Sequence, residues 1–236
     1  MSSLTLIGTV HRDPGGTQIL IEELTRLHPQ VITLEFSSYG LQYRLKRRRV
    51  LSKRLLTALY HIQGTERWGV RELKKLLRST GIGGIKALLD VPYEYTGTKL
   101  YSKRHDLPLF CIDSSSYSRQ LLRHVDELIS PDNLKRIIAL ETTPLKETVA
   151  KEHQNAEKIL LNGMQSLWQP MMHANEECEK REHIMADRMR KITAQYPGCP
   201  IVHVGGWQHL IAKQGTLFDL LEELEPKRIL LGRLYL

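Results

Sequence analysis

The stretch that most constrains the fold is a strand, a helix and a second strand within residues 4–36. An apolar run at residues 4–7 ends at Gly8, and a second at residues 31–36 is interrupted only by the carboxylate of Glu35. Between them, residues 18–27 carry apolar side chains at helical spacing, and His28-Pro29 ends that helix. Strands joined by a helix at this spacing form a right-handed βαβ unit, so these two strands are predicted to be parallel and adjacent.

The later sequence continues the alternation of strands and helices. Further strands are predicted at residues 107–112, 201–204 and 229–231, and helices at residues 116–128, 131–140, 145–161, 174–195 and 217–224. Residues 39–103 show helical periodicity and no convincing strand, which indicates a helical insertion. The sequence therefore predicts one α/β domain over residues 1–236. It has a mainly parallel central sheet, helices on both faces and the insertion over the carboxyl edge.

The composition is that of a soluble globular protein, with 41% hydrophobic and 25% charged residues. No apolar stretch approaches the roughly 20 residues needed to span a bilayer, and the N-terminus lacks the layout of a signal peptide. A cytoplasmic location without a transmembrane segment is expected. The three cysteines are too scattered for a disulfide framework or a Cys-x-x-Cys metal site.

Much of the net charge of +8 lies in the basic segment, residues 44–54. Leucines run through and beside it at roughly helical spacing: Leu41, Leu45, Leu55, Leu56 and Leu59. This pattern favours a surface helix that packs one face and solvates its basic face. The alternative is a polyanion-binding module, but no recognisable nucleic-acid module accompanies it, so nucleic acid is not expected as a partner.

Polar side chains follow several predicted strands. His11 comes three residues after Gly8, and the spacing is repeated by Gly206 and His209 after a late strand. Glu35 and Asp113 likewise end their strands. Ligands of open α/β sheets bind at the carboxyl ends of the strands, so His11, Glu35 and His209 are predicted to converge on one crevice. Such a set either binds a divalent ion that activates water, or orients a histidine that deprotonates water directly.

A later helix supplies a candidate substrate-binding arginine. Arg181, Ile184, Met185 and Arg188 share one helical face, whereas Glu179, His183 and Asp187 share another and favour surface salt bridges. Arg181 is expected to reach the crevice and hold a carbonyl or carboxylate of the substrate.

The order of these motifs resembles the TraB/Tiki superfamily, which includes pheromone-shutdown proteins and Tiki proteases and, more distantly, erythromycin esterases and ChaN-like haem-binding proteins. The resemblance spans nearly the whole chain. It is carried by Gly8-Thr9-Val10-His11, Leu34-Glu35, Ile112-Asp113, Arg181-Glu182-His183-Ile184-Met185-Ala186 and Val204-Gly205-Gly206-Trp207-Gln208-His209-Leu210. Two positions depart from the family pattern, because Ser114 stands where arginine is usual and Gln208 where glycine is usual.

The resemblance implies a hydrolase-like site carried by His11, Glu35 and His209. It also implies a role for Arg181 and for Pro92-Tyr93-Glu94, which matches a Pro-x-Glu motif of the family. Arg181, Glu94 and Asp113 are accordingly expected to contact the substrate. Tiki relatives look metal-dependent, whereas the esterase relatives resemble a metal-free system with a histidine base, so the metal question stays open.

These observations predict a hydrolase that cleaves an ester or peptide bond of an unidentified peptide or small molecule. His11 serves as general base or metal ligand, Glu35 orients or ligates, and His209 completes the set. A divalent manganese, cobalt or zinc ion is the expected cofactor if one is used. The main alternative is a non-catalytic protein that uses the same histidines to bind a metal or haem.

Overall fold

A computed structural model of the chain describes residues 4–66, 69–140, 143–162, 176–213 and 215–235. The strands are β1 Leu4–Thr9, β2 Val31–Leu34, β3 Leu109–Cys111, β4 Ile201–Gly206, β5 Lys227–Leu230 and β6 Leu234–Tyr235. The first helices are α1 Gly16–Leu27, α2 Ser38–Glu66, α3 Val70–Leu76, α4 Thr80–Leu89, α5 Tyr93–His105 and α6 Ser115–Arg123. The later ones are α7 Val125–Leu128, α8 Pro131–Ala139, α9 Leu145–Asn162, α10 Glu176–Gln195 and α11 Leu217–Leu220, with 3-10 helices at Trp207–Leu210 and Glu222–Leu224. The first two residues of the helix predicted at 174–195 lie outside the described part of the chain.

The strands form one sheet in the order β3-β2-β4-β1-β5-β6, and β1 to β5 are all parallel. Of the described strands, only β6, which the sequence reading missed, runs antiparallel, at the edge beside β5. The predicted adjacency of β1 and β2 is wrong, because β4 lies between them and pairs with both. Thr9 of β1 pairs with Gly206 of β4, and Leu34 of β2 pairs with Val204. The central strands therefore end side by side.

Helices cover both faces of the sheet, which confirms the predicted fold class. On one face, Leu20, Leu24 and Tyr101 of α1 and α5 pack with Ile32 and Val202. On the other face, the methionines and Ile192 of α10 pack with the first residues of β1 and β4. None of the described helices is long and apolar enough to cross a membrane.

A separate group of helices, α2–α4 with α6–α8, forms what we call the helical cap. Its core consists of Leu51, Leu55, Leu59, Ile62, Leu73, Ile82, Ile85, Leu89, Val125, Ile129 and Leu134. The described residues of 39–103 contain no strand, as expected. The cap nevertheless differs from the predicted insertion, because α5 packs on the sheet through Tyr101 and because helices beyond β3 contribute to the cap core.

The basic segment lies within α2, and its leucines do not all pack. Leu41, Leu55 and Leu59 are buried, whereas Leu45 and Leu56 are 44% and 36% exposed. Arg54 pairs with Asp126, and Arg48 lies 3.7 Å from Asp90. Part of the positive charge is thus balanced within the helical cap.

Candidate active site

The ends of the parallel strands deliver the predicted residues to one edge of the sheet. His11 follows β1, Glu35 follows β2, Asp113 follows β3 and His209 lies in the 3-10 helix after β4. Helix α5 adds Glu94 from its first turn, and α10 adds Arg181. All of these except His209 line one cavity of about 620 Å³ between the sheet edge and the helical cap. His209 lies behind Glu35.

Glu35 lies at the centre of the buried polar groups and contacts three of its neighbours. Its Oε1 accepts a hydrogen bond from Nη2 of Arg181 and lies 3.0 Å from Nε2 of His209. Its Oε2 accepts a hydrogen bond from the backbone N–H of Gly206. Burial alone would raise the pKa of Glu35, but the positive charges of His209 and Arg181 hold it well below its usual value. Glu35 is therefore ionised and already fully engaged.

Arg181 joins Glu35 to Asp113. Its Nε and Nη2 donate hydrogen bonds of 2.7 and 2.9 Å to the two oxygens of Asp113, and its guanidinium lies 5.1 Å from the centre of the Tyr117 ring. Burial lowers the pKa of Arg181, but the charges of Glu35 and Asp113 outweigh burial and raise it. The fork geometry fixes the guanidinium rigidly. Asp113 therefore positions Arg181, and because it also lines the cavity, its expected contact with the substrate stays a prediction.

His209 lies between two carboxylates. Its Nδ1 is 2.6 Å from Oε1 of Glu182, and its Nε2 faces Glu35. Burial lowers the pKa of His209, but the charges of Glu182 and Glu35 outweigh burial and raise it to about 10. At neutral pH His209 is an imidazolium, which has no lone pair for a proton or a metal ion. In this structure it therefore contributes positive charge to the network, and its predicted role as a base or metal ligand stays a prediction.

His11 has a different environment. Its Nδ1 lies 2.7 Å from Oε1 of Glu94, which also accepts a 3.1 Å hydrogen bond from the Thr9 hydroxyl. The side chain of His11 is 45% exposed, whereas that of Glu94 is 2% exposed. Desolvation lowers the pKa of His11, but the hydrogen bond to Glu94 and the charges of Glu94 and Glu35 produce a net rise. Glu94 thus holds one ring nitrogen of His11, a contact that the sequence reading did not predict.

The other ring nitrogen of His11 faces the end of β4. Nε2 is 3.0 Å from the point where a Cβ would lie on Gly206, and Glu35 Oε2 is 3.4 Å from the same point. A Cβ on Gly205 would lie 2.8 Å from Nε2 of His203. The Gly205-Gly206 pair therefore lets both acidic and imidazole side chains approach the backbone of β4 closely.

The donor set does not fit a resident metal ion. Within the described ranges, no group of three or more His, Cys, Asp or Glu side chains has the arrangement to hold one. Of the predicted ligands, Glu35 is bonded to Arg181 and Gly206, and both nitrogens of His209 face carboxylates. Of the three predicted ligands, only His11 keeps a ring nitrogen, Nε2, without a hydrogen-bond partner among the described residues.

Other site residues were missed by the sequence reading. Glu182 shares a buried helical stripe with Met185, Ala186 and Met189, and this 3- and 4-residue spacing marks it as a glutamate on an apolar face. His203 is fully buried on β4, where its Nδ1 lies 3.0 Å from the Thr33 hydroxyl. Desolvation lowers its pKa to about 3, so it is neutral.

The loop after β1 is fixed by a second histidine. Nε2 of His153 lies 3.0 Å from Oδ2 of Asp13, and Oδ1 of Asp13 accepts a 2.8 Å hydrogen bond from the N–H of Gly15. The hydrogen bond from His153 is the main cause that lowers the pKa of Asp13. The two residues are 140 positions apart in the sequence, so no local sequence pattern predicts their contact.

The pKa of His209 predicts how stability depends on pH. Because its folded-state pKa is raised from 6.5 to about 10, the stabilisation is fully present below pH 6.5 and is lost as pH rises towards 10. We expect the free energy of unfolding, measured with urea, to fall across this window. The fall should be smaller in His209→Gln, which has no titrating ring; an equal fall in both proteins would contradict the assignment.

Comparison of the chain with family models, with curated proteins and with solved structures found no match. Function is therefore inferred from the side chains at the sheet edge. The feature with the clearest chemical meaning there is the His11–Glu94 pair.

Proposed function

We propose that the protein is a hydrolase in which His11 is the general base that activates water against an ester or peptide bond. The observation that carries the proposal is the hydrogen-bonded pair of His11 and Glu94 at the wall of the cavity. With Nδ1 held by a buried carboxylate, Nε2 is the nitrogen left to accept a proton from water. Glu94 also stabilises the imidazolium that forms when His11 takes that proton.

The proposed reaction needs no group beyond these side chains and water. Nε2 of His11 removes a proton as the water oxygen attacks the carbonyl carbon, and the same proton passes to the leaving oxygen or nitrogen when the bond breaks. The carbonyl oxygen gains negative charge in this step, so it needs a donor. We assign that role to Arg181, because it lines the cavity and its Nη1 has no protein acceptor within the described ranges.

The resemblance to the TraB/Tiki superfamily supports the same reaction class. The arrangement agrees better with the metal-free histidine base that the esterase relatives resemble than with a metal-dependent site, because His209 and Glu35 are committed to each other and to Arg181. No catalytic step is assigned to a metal ion. The experiment below still tests whether the protein depends on a metal ion, by comparing activity after chelation with activity in added metal.

The test is an assay of esters and peptides with the wild-type protein, after chelation and with added manganese, cobalt or zinc. We expect hydrolysis of at least one substrate, and a fall in kcat/KM of at least about a hundredfold in His11→Gln. The matched control is His61→Gln, because His61 is an exposed histidine of α2 outside the cavity. Activity only with a metal would favour the metal-dependent alternative, and undiminished activity of His11→Gln would overturn the proposal.

A metal- or haem-binding protein would behave differently in the same samples. It would retain a metal or a chromophore through purification, visible by elemental analysis or by its absorption spectrum, and would hydrolyse no member of the panel. A retained metal or chromophore together with no hydrolysis would show that the protein binds a metal or haem and is not a hydrolase.

A further inference from the structure

The cavity that contains His11 also has a basic wall that the proposed reaction does not use. Arg12, Arg44 and Lys86 line it together with His11 and Glu94. We call these three cations the basic wall. They come from three separate elements: the loop after β1, α2 and α4.

Helix α4 contacts two members of the basic wall and contains the third. Nη1 of Arg12 lies 3.0 Å from the point where a Cβ would be on Gly84, so the guanidinium rests against the glycine backbone. Nε of Arg44 donates a 3.2 Å hydrogen bond to the carbonyl of Leu88. Lys86 lies between these two positions on the same helix. All three positive groups line the same cavity, and each either belongs to α4 or contacts it.

The carboxylates of the cavity do not balance this wall. Asp13 is paired with His153, and Glu94 is paired with His11. Glu35 and Asp113 are both bonded to Arg181, and Asp90 is nearest to Arg48. By contrast, the described residues offer no carboxylate within salt-bridge distance of any member of the basic wall.

Arg44 shows the effect of the missing counter-charge. It is half-buried and its guanidinium is held by the carbonyls of Gly40 and Leu88. Burial lowers the pKa of Arg44, and no carboxylate among the described residues compensates. A partly desolvated guanidinium without a counter-ion is costly, and an anion in the cavity would relieve that cost.

The backbone conformation of Arg12 also supports a binding role for its side chain. Its φ is +67°, in the left-handed region that non-glycine residues enter at a cost of about 1 kcal/mol or more. Glycine or asparagine would adopt this conformation more readily. The chain instead keeps a long cationic side chain at a strained position beside His11.

We propose that the basic wall binds an anionic group of the substrate, a carboxylate or a phosphate. Two guanidinium groups and an ammonium group are donors suited to the oxygens of such a group. The assignment of the anion to a substrate rests on the proposed hydrolase function, whereas anion binding itself does not. The substrate is then an acidic small molecule or peptide whose scissile bond lies at His11.

The first test measures binding without catalysis. Inorganic phosphate and succinate are titrated into the wild-type protein at low salt by calorimetry, and into Arg12→Gly, Lys86→Gln and the double variant. Glycine suits the positive φ of Arg12, and Lys86 is exposed, so these variants are expected to fold. We expect wild-type binding of at least one anion, weakened by about tenfold in the double variant. Lys99→Gln, at an exposed lysine of α5 outside the cavity, is the matched control and should bind as the wild type does.

The second test compares two nitrophenyl esters with acyl chains of equal length, one neutral and one ending in a carboxylate. The wild type should prefer the anionic ester through a lower KM, and the double variant should lose most of that preference. Anion binding without hydrolysis of either ester or of any member of the ester and peptide panel would refute the hydrolase and keep the basic wall as a binding site. Binding of neither anion, or binding that the double variant does not weaken, would overturn the basic-wall proposal even if hydrolysis is observed.

Discussion

Replacement of Glu94 by glutamine is expected to lower kcat/KM on the order of a thousandfold while the protein stays folded. The amide has no charge to stabilise the His11 imidazolium, and its NH₂ group can hold the ring in the tautomer whose Nε2 carries the proton. Glutamine has nearly the same shape as glutamate, and the Thr9 hydroxyl, which loses its acceptor when the NH₂ group faces His11, can still donate to the carbonyl of Gly205. The loss should therefore lie in kcat more than in folding, as measured by steady-state kinetics and thermal unfolding.

The pH profile separates this positioning role from a merely structural one. The base must be neutral to accept a proton, so activity rises as pH increases through the raised pKa of His11. Without the charge and hydrogen bond of Glu94, that pKa falls and the rising limb of the profile moves to lower pH. Glu222→Gln, at an exposed glutamate of a 3-10 helix remote from the cavity, should change neither quantity. An unshifted profile with wild-type kcat would remove Glu94 from the mechanism.

Arg181→Met is expected to destabilise the protein by about 3–5 kcal/mol at neutral pH. The substitution leaves Asp113 without its bidentate partner and removes one of the charges that keep Glu35 ionised. Both carboxylates are buried, so the cost comes from unpaired charge rather than from lost packing. Urea unfolding at neutral and acidic pH measures it. The loss should shrink at acidic pH, because Glu35, whose pKa Arg181 helps to lower, then becomes protonated.

The same helix supplies a matched control for Arg181. Arg190 also contacts two carboxylates, Asp187 and Glu223, but its side chain is 40% exposed. Arg190→Met should therefore cost no more than about 1 kcal/mol. Adding Asp113→Asn to Arg181→Met should recover part of the lost stability, since it removes one unpaired charge. Equal costs for Arg181→Met and Arg190→Met would show that burial of the network contributes nothing.

The strands and helices could be predicted because each depends mainly on residues that are close together in the sequence. Hydrophobic runs located β1, β2 and β4, and helical spacing located α1 and α9. Two predicted helices are shorter than expected: residues 116–128 divide at His124, and residues 217–224 continue past Leu220 only as a 3-10 helix. Periodicity carries no signal for such breaks, because the apolar spacing continues across them.

The sequence predicted where the site lies in the fold. It did not predict which side chains contact one another there. Strand ends located His11 and Glu35, and helical spacing located Arg181. Which carboxylate meets which histidine depends on side-chain directions at the sheet edge, and no sequence spacing encodes these. Glu94 therefore proved to be the partner of His11, while Glu35 and Glu182 enclose His209.

The strand order also has a consequence for synthesis of the chain. Strand β1 lies between β4 and β5, and its first residue, Leu4, pairs with Ile201. A ribosome thus makes the fully buried strand β1 nearly two hundred residues before either of its neighbours. Until then, β1 presents apolar side chains and unpaired backbone groups that invite aggregation, so the nascent chain depends on protection until its last central strands emerge.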